Sequence, residues 1–329
     1  MDFTGLVGKF LINRPLTDAD RQYQLRQHIR LDMDPYDQRA VIRLNSTFLE
    51  TVDKWYEWKG FTTAFAITVL LMFVPNFGLV AFEYVLKLLG MASTGMDKQS
   101  LIVTLLFLGV FLGLICWGVV TLLRKESFNY THYPVRYNRK TGMVHYFRPD
   151  GEIRSVPWRK VFFTVVSGSG LWGIRGHVLG DDKVTVVDTF GVGDTGALRS
   201  HAADPVTGQY EYADSLRAHW EFIRRYMEEG PAEASQIVRF CVPVSDRKET
   251  LADAFHRAFG LFRGSSPIFR MVMAPFCLWM FLGRLIAIAT SKTPQWPADI
   301  NATCAIEPND PYAIRGDAQS EPIPDKAPA

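Results

Sequence analysis

The residue types that most often carry chemistry are present in this chain, but their spacing forms no catalytic or metal-binding motif. The seven histidines are scattered, with no His-x-x-x-His or His-Glu-x-x-His pattern. The four cysteines, Cys116, Cys241, Cys277 and Cys304, have none of the spacings typical of zinc ligands. We therefore expect no metal and no other cofactor. Cys304 is either free or bonded to another chain, and we favour a free thiol.

Two glycine-rich segments superficially match enzyme loops. Residues Gly191–Gly196 lack the Gly-Lys-Ser/Thr ending of a phosphate loop. Residues Gly168–Gly170 lack the pattern and the strand-to-helix transition of a nucleophile elbow. Both are interpreted as turns, which glycine readily marks. The sequence thus predicts a protein that is not an enzyme, and an active site whose polar groups converge only on folding is the remote alternative.

Basic residues are the candidates for binding. Arg139 with Lys140, and Arg159 with Lys160, are expected to line one edge of a folded module, where each basic residue near anionic headgroups contributes about 1 kcal/mol. The same edge could instead bind a protein partner. The alternative is that these residues only keep the module soluble and cytoplasmic. Nucleic-acid binding is disfavoured because the net charge is only +2 and acidic residues are interleaved.

Three apolar stretches determine where the basic residues lie relative to a membrane. Each stretch is long enough to cross a hydrocarbon core, which needs about 20 helical residues. They are Phe61–Val80, Leu101–Leu123 and Ile268–Thr290. The first two predict a transmembrane hairpin, and the third predicts a further transmembrane helix. Gly109 and Gly113 have the small-xxx-small spacing that lets helices approach closely, either on the first span or on another copy, so a homo-oligomer is possible.

Charged residues near the spans allow more than one interpretation. After Pro75, residues 78–90 are interpreted as an interfacial helix, with a frayed helix end as the alternative. Glu83 is expected to pair with Lys87 near the headgroups rather than to act inside the bilayer. Arg284 in the third stretch is expected to reach the outer headgroups or to mark a contact with a partner helix.

The distribution of Lys and Arg predicts the topology, because basic flanks are retained in the cytoplasm. Residues 1–60 hold nine of them and residues 124–267 hold twenty, whereas Met91–Ser100 holds only Lys98. The tail from Ser291 has three, with six acidic residues. We expect a multi-pass protein of the bacterial inner membrane, with the N-terminus and central module cytoplasmic and the tail periplasmic.

Short alternating segments predict the fold of the central module. Tyr133–Asn138 and Met143–Arg148 are expected to form a hairpin, followed by a strand broken at Pro157 and by strands 171–179 and 183–190. A helix over 213–229 should close this meander. Its Leu216, Trp220, Ile223 and Met227 should face the sheet, and its charged residues, including Glu221 and Arg224, should face outward.

Upstream of the first span, Thr47 and Glu50 match a capping box, which predicts a helix that begins there and runs into the membrane. The expected class is an α+β membrane protein with a cytosolic antiparallel β-meander or partial barrel. Its expected segments are an arm (1–44), an amphipathic helix with the hairpin (45–126, spans 61–80 and 101–123), the β module (127–247), an amphipathic helix with a third span (248–290, span 268–290) and a flexible Pro-rich tail (291–329).

Three segments carry a family resemblance: Tyr137–Phe147, Gly151–Trp158 and Trp220–Pro231. They resemble an uncharacterised family of proteobacterial inner-membrane proteins, often found near type VI secretion genes, over most of residues 50–290. The part at about 130–230 is similar in pattern to bacterial pleckstrin-homology-like (PH-like) domains. The resemblance implies a setting of contact-dependent competition and brings no catalytic motif.

Two function classes follow. The first is a membrane-anchored interaction protein, an immunity or accessory protein of type VI secretion, that binds an effector or secretion component through its module or spans. The second is a pore-forming effector that depolarises the target membrane. Constitutive insertion and the lack of a recognisable delivery region favour the first. Its expected partners are the lipid bilayer and one protein.

Overall fold

The computed structural model describes residues 12–53, 56–168, 171–192, 211–245, 247–262 and 265–315. The chain forms two compact units, and neither is continuous in sequence. Unit 1 comprises residues 1–56, 132–249 and 293–329, and unit 2 comprises residues 57–131 and 250–292. Both segments of unit 2 are therefore insertions into the chain of unit 1.

The described strands form two antiparallel sheets. In chain order they are β1 (Arg14–Pro15), β2 (Gln24–Leu25), β3 (Val41–Leu44), β4 (Phe48–Thr51), β5 (Val135–Asn138), β6 (Met143–Phe147), β7 (Ile153–Pro157), β8 (Val161–Gly168), β9 (Leu171–Leu179), β10 (Thr185–Val192) and β11 (Ile314–Arg315). The helices are α1 (Asp18–Gln22), α2 (Phe61–Leu88), α3 (Lys98–Glu126), α4 (Glu211–Glu228), α5 (Pro231–Ile237), α6 (Leu251–Gly260), α7 (Pro267–Val272), α8 (Ala274–Thr290) and α9 (Ala298–Thr303).

The predicted meander from β5 to β10 is confirmed, but it is divided between two sheets. One sheet has the order β11-β3-β4-β5-β6-β7 and the other the order β1-β10-β9-β8-β2. Pro157 ends β7, and a short 3-10 turn at Trp158–Lys160 separates it from β8. The described strands form two antiparallel sheets and do not close into a barrel.

Helix α4 closes the core of unit 1 as predicted. The side chains of Leu216, Trp220 and Ile223 are fully buried, and the Trp220 ring stacks on Trp158 with 5.5 Å between centroids. Phe163 packs on the same tryptophan pair. Burying large aromatic rings of this kind stabilises the folded state by roughly 2–3 kcal/mol each.

The outward position expected for the charged residues of α4 is wrong for Glu221 and Arg224, which are buried. The Glu221 carboxylate accepts hydrogen bonds from Arg224, from Arg225 and from the Leu31 amide. Arg225 also donates to the Met33 carbonyl oxygen, at 2.8 Å. The N-terminal segment therefore covers this face of α4, which its helical pattern could not reveal.

The expected helix at Thr47 is wrong, because residues Phe48–Thr51 form strand β4 between β3 and β5. The Asn45 side-chain oxygen accepts from the amides of Thr47 and Phe48 and turns the chain between β3 and β4. Such side-chain turns compete with helix caps for the same residue types. Strand β4 forms backbone hydrogen bonds with β3 on one side and β5 on the other, and these bonds favour the strand over a helix.

The C-terminal segment differs from the expected flexible periplasmic tail. Helix α9 and strand β11 belong to unit 1, where Ile314 pairs with Leu44. Ser46 donates two hydrogen bonds to the Asp310 carboxylate at 2.7 and 2.8 Å. Residues 293–315 therefore pack with the central module in unit 1. Residues 316–329 lie outside the described residues.

Unit 2 contains the predicted apolar hairpin. Helices α2 and α3 are long and apolar enough to cross a membrane, with mean hydropathies of 2.2 and 2.5 in their most apolar windows. Helix α2 continues through Pro75 to Leu88, so residues 78–88 extend the first helix and form no separate interfacial one. Glu83 pairs with Lys87 at 2.6 Å, as expected.

The third apolar stretch is not one long helix. It breaks at Met273 into α7 and the 17-residue α8. Helix α8 runs antiparallel to the first half of α2, since Trp279 donates to the hydroxyl of Thr68 and Arg284 lies against Gly60. Helix α6 runs antiparallel to α8, with Phe262 near Phe276. Residues 251–290 thus form a helical hairpin whose first and last residues lie at the same end. We call it the α6–α8 hairpin.

Candidate functional site

The two predicted basic pairs lie at the same end of the six-stranded sheet. Arg139 and Lys140 occupy the β5–β6 turn, and Arg159 and Lys160 occupy the 3-10 turn after β7. The Trp158 amide donates to the Gly142 carbonyl oxygen at 2.8 Å and so ties the two turns together.

All four basic side chains are exposed, and Lys140 forms an ion pair with Glu307 of the C-terminal segment. The Arg139 guanidinium lies beside Gly230, 3.5 Å from where a Cβ would stand. We name Arg139, Lys140, Arg159 and Lys160 the basic edge. It is positively charged and accessible, which suits an anionic or acidic binding partner.

Gly109 and Gly113 do not pack on the first apolar helix. Both are exposed on α3, and a Cβ added at either would meet no atom within 4 Å. The close contact between glycines occurs elsewhere in unit 2. A Cβ at Gly283 would stand 2.3 Å from the carbonyl oxygen of Gly60, and Gly60 itself has φ +104°. The predicted packing of Gly109 and Gly113 on another copy stays a prediction.

A buried polar cluster, which the sequence interpretation missed, lies where α2 begins and α3 ends. The Glu126 carboxylate is fully buried and accepts from the amides of Gly60 and Thr63, at 2.8 and 2.6 Å, and from the Thr63 hydroxyl. It therefore satisfies the first amides of α2, where the helix dipole also favours a negative charge. Lys59 donates to the carbonyl oxygens of Glu126 and Tyr130.

Arg284 belongs to this cluster and not to an outer headgroup layer. Its side chain is buried, and Nη1 donates to the carbonyl oxygens of Glu57 and Lys59 at 3.1 and 3.2 Å. The hydroxyl of Ser291 donates to the carbonyl oxygens of Glu126 and Ser127. The cluster joins the start of α2, the end of α3 and the end of α8. The sequence signal was the set of polar residues at the ends of all three apolar stretches.

Two histidine–hydroxyl pairs in unit 1 have the geometry of a base beside a nucleophile. His145 Nδ1 lies 2.7 Å from Ser155 Oγ, and His177 Nδ1 lies 2.9 Å from Thr189 Oγ1. Burial lowers the pKa of both histidines to about 4. A general base is most effective with a pKa near the operating pH, so these imidazoles are weak bases.

Both pairs are also directly opposite neighbours on adjacent antiparallel strands. Cross-strand polar pairs of this kind stabilise sheets. We interpret them as structural. Within the described residues no group of three or more His, Cys, Asp or Glu side chains is arranged to hold a metal ion.

An open cleft of about 320 Å³ lies beside β2 in unit 1. Its lining mixes polar and apolar side chains, among them Gln24, Asp32, Met33 and Arg217. Neither histidine–hydroxyl pair lines it. The cleft is at the small end of the range for ligand pockets.

The profile of the family of unknown function DUF6708 matches residues 112–308, which is more than half of the chain. The chain belongs to this family. The DUF6708 region includes the end of α3, the strands from β5 to β10 and the α6–α8 hairpin. It also includes α9, so the matched region extends into the C-terminal segment that packs in unit 1. No curated protein and no solved structure matches the chain significantly.

Proposed function

We propose that this protein is a non-enzymatic, membrane-anchored interaction protein. Helices α2 and α3 are its two membrane spans, and unit 1 is the module that meets a protein partner. The observation that carries the proposal is the bare apolar surface of the two helices. Only 6% and 11% of the residues in their most apolar windows are buried.

Large apolar side chains on these helices are exposed. Leu79 is 70% exposed on α2, and Trp117 is 70% exposed on α3. A surface helix in water has a polar outward face, and apolar patches of this size are not tolerated without a partner or a membrane. The apolar run Leu101–Leu123 has a length of about 34 Å at 1.5 Å per residue, which suits a hydrocarbon core of about 30 Å.

The distribution of charge supports a two-span topology with unit 1 in the cytoplasm. A strand cannot lie across a membrane from the sheet it pairs with, so we place all three segments of unit 1 on one side. Together with the residues that flank the spans, they contain most of the Lys and Arg residues. The connection Met91–Ser100 between α2 and α3 contains only Lys98. This asymmetry agrees with retention of basic segments in the cytoplasm. By the family resemblance, the membrane is the inner membrane of a proteobacterium.

The topology restricts where a partner binds. Within the described residues, only the short connection between α2 and α3 faces the far side of the membrane in this arrangement. A protein partner therefore meets unit 1 in the cytoplasm or the spans in the bilayer. The basic edge is the candidate contact on unit 1, because its side chains are exposed and share one sign of charge. An acidic protein surface or anionic headgroups suit it.

Resemblance to proteins encoded near type VI secretion genes supports an immunity or accessory role. An immunity protein of this topology would act against a toxin that works in the inner membrane or the cytoplasm. The membrane-active effector is the second candidate, because the same bare apolar helices would also suit a protein that perturbs a bilayer.

The test expresses the full chain alone in a bacterium and measures sedimentation with alkaline-washed membranes, membrane potential and growth. Retention in the washed membrane with an intact potential supports the anchored protein. Release by the wash contradicts the anchor, and rapid depolarisation makes the chain the membrane-active agent.

A second experiment tests the basic edge with the full chain as bait for products of neighbouring genes. The double charge reversal Arg159→Glu/Lys160→Glu should weaken capture of one specific partner. Lys183→Glu, in the exposed β9–β10 turn, is the matched control and should not. Equal capture of the partner by both variants would show that the basic edge does not bind it.

A further inference from the structure

The α6–α8 hairpin has an apolar outer surface as well as an apolar inner one. The inner face of α8, which includes Cys277, Met280 and Ala287, is buried within unit 2. The outer face has Leu278, Leu282 and Ile286 at intervals of four residues, and these side chains are 50%, 53% and 42% exposed. A helix packed on a protein in water would place polar residues at such positions.

The tip of the hairpin is more exposed still. Ile268, Met271 and Val272 are 72%, 71% and 68% exposed, and Phe269 is 45% exposed. These large apolar side chains lie in the short helix α7, whose exposed positions in a water-soluble protein would usually be polar. On α6, Leu251 and Phe255 continue the same surface.

We propose that the α6–α8 hairpin is a re-entrant element, embedded among lipid acyl chains in one leaflet of the membrane. This inference rests on the proposed anchoring by α2 and α3. It assigns a lipid-binding role to the third apolar stretch, whose helix α8 is too short to cross the membrane.

The position of α8 favours lipid over other occupants. Helix α8 packs along α2, from Trp279 at Thr68 to Gly283 at Gly60. Its outer face is therefore continuous with the bare apolar surface of a proposed membrane span, and the same slab of hydrocarbon covers both. A protein partner or a second copy that covered the outer face of α8 would have to end at the adjoining surface of α2, where lipid takes over.

Length and charge limit how deep the hairpin reaches. The 17 residues of α8 have a length of about 25 Å, below the roughly 20 residues that a transmembrane helix needs. Both ends of the α6–α8 segment connect to unit 1. Arg270 at the tip is exposed, and a charge at the bilayer centre is costly. Its long side chain can reach the headgroups only from a shallow position, so the hairpin occupies one leaflet.

The test attaches a fluorescent nitrobenzoxadiazole (NBD) group to single cysteines of the full chain in liposomes that contain nitroxide-labelled lipids. Cys116→Ala removes the exposed native thiol, and the three remaining cysteines are buried. The probe sites are Met271→Cys at the tip, Leu114→Cys in the middle of α3, and Asp181→Cys in the β9–β10 turn of unit 1, all at exposed positions. None of these substitutions removes a packed side chain.

The expected result is strong quenching at position 271 by nitroxides near the headgroups, strong quenching at 114 by nitroxides deep in the bilayer, and little at 181. Quenching at 114 without quenching at 271 would overturn the re-entrant hairpin, because water, a partner or a second copy would then cover the tip. Deep quenching at 271 equal to that at 114 would also overturn it. Absence of quenching at both sites would overturn the proposed anchor as well.

Discussion

The backbone of Gly283 in α8 lies directly against the carbonyl oxygen of Gly60, the residue that begins α2. A Cβ at position 283 would stand 2.3 Å from that oxygen and 2.6 Å from the Cβ of Ala64. These distances are far shorter than any van der Waals contact. The two glycines therefore permit the close approach that brings α8 back to the start of α2.

Gly283→Ala should destabilise unit 2, because the added methyl group has no space. Overpacking of this kind typically costs about 1–3 kcal/mol. Gly113→Ala is the matched control on α3, since nothing lies within 4 Å of its Cβ and alanine favours a helix by about 1 kcal/mol. The measurement is the thermal unfolding midpoint of the two purified variants in detergent. Equal midpoints would contradict the close contact between Gly283 and Gly60.

Glu126→Ala should lower the stability of unit 2 more than any change of an exposed acidic residue. The substitution leaves the amides of Gly60 and Thr63 without their acceptor, and each unsatisfied buried group costs about 1–3 kcal/mol. Glu83→Ala is the control, because its side chain is 59% exposed and forms a surface ion pair with Lys87. Such exposed pairs contribute less than about 1 kcal/mol. The measurement is again the thermal unfolding midpoint in detergent. A smaller decrease of the midpoint for Glu126→Ala than for Glu83→Ala would contradict a capping role.

The stability of unit 1 should fall as the pH drops from about 6.5 towards 4. Burial lowers the pKa of His145, His177 and His219 to about 4, so these residues stay neutral in the folded state while the unfolded chain takes up protons. Each net proton bound by the unfolded state costs about 1.4 kcal/mol per pH unit. Asp37 opposes this effect, because burial raises its pKa to about 6 and the folded state then binds one proton.

Denaturant unfolding of the full chain at pH 7.5, 6.0 and 5.0 tests this prediction. The free energy of unfolding should decrease steadily over the series. His177→Gln removes one buried imidazole and should flatten the decrease. A free energy that is constant or rises towards pH 5 would contradict neutral buried histidines.

Trp296→Ala should release the C-terminal segment from the six-stranded sheet. The indole Nε1 donates to Glu50 at 2.8 Å, and the Arg136 guanidinium lies 4.5 Å from the ring centres of both Trp296 and Phe48. Removing the ring should cost about 3 kcal/mol. Trypsin cleavage after the exposed Lys292 should then accelerate. Ile306→Ala, at a 43% exposed position of the same segment, should leave the rate unchanged. Equal rates would show that the ring does not hold the segment.

Patterns within one element predicted much of the structure. The β5–β6 hairpin followed from alternation around Arg139–Gly142, and Gly142 has the positive φ of +65° that such turns favour. The inner face of α4 followed from helical spacing of its apolar residues. The hairpin of α2 and α3 followed from length and hydropathy. Each of these features depends on residues close in sequence.

The sequence interpretation failed where distant segments meet. Glu221 is buried because Leu31 and Met33 cover it, and neither residue is near it in sequence. Arg284 matched a snorkelling residue by position, but its acceptors are carbonyl oxygens more than two hundred residues away. Strand β11 pairs with β3 across most of the chain. This pairing returns the C-terminal segment to unit 1, and no local pattern indicated it.

The most direct test of the two-span arrangement compares thiol labelling from the two sides of membrane vesicles with an impermeant maleimide. The three variants each add one exposed cysteine to the Cys116→Ala background, in which the remaining native cysteines are buried. They are Ser93→Cys between α2 and α3, Lys160→Cys in unit 1 and Asp299→Cys in α9. We expect positions 160 and 299 to react from one side and position 93 from the other. Reaction of positions 93 and 299 from one side and of position 160 from the other would mean that the third apolar stretch crosses the membrane, and would contradict the pairing of the C-terminal segment with unit 1. Reaction of all three positions from one side would contradict the two spans.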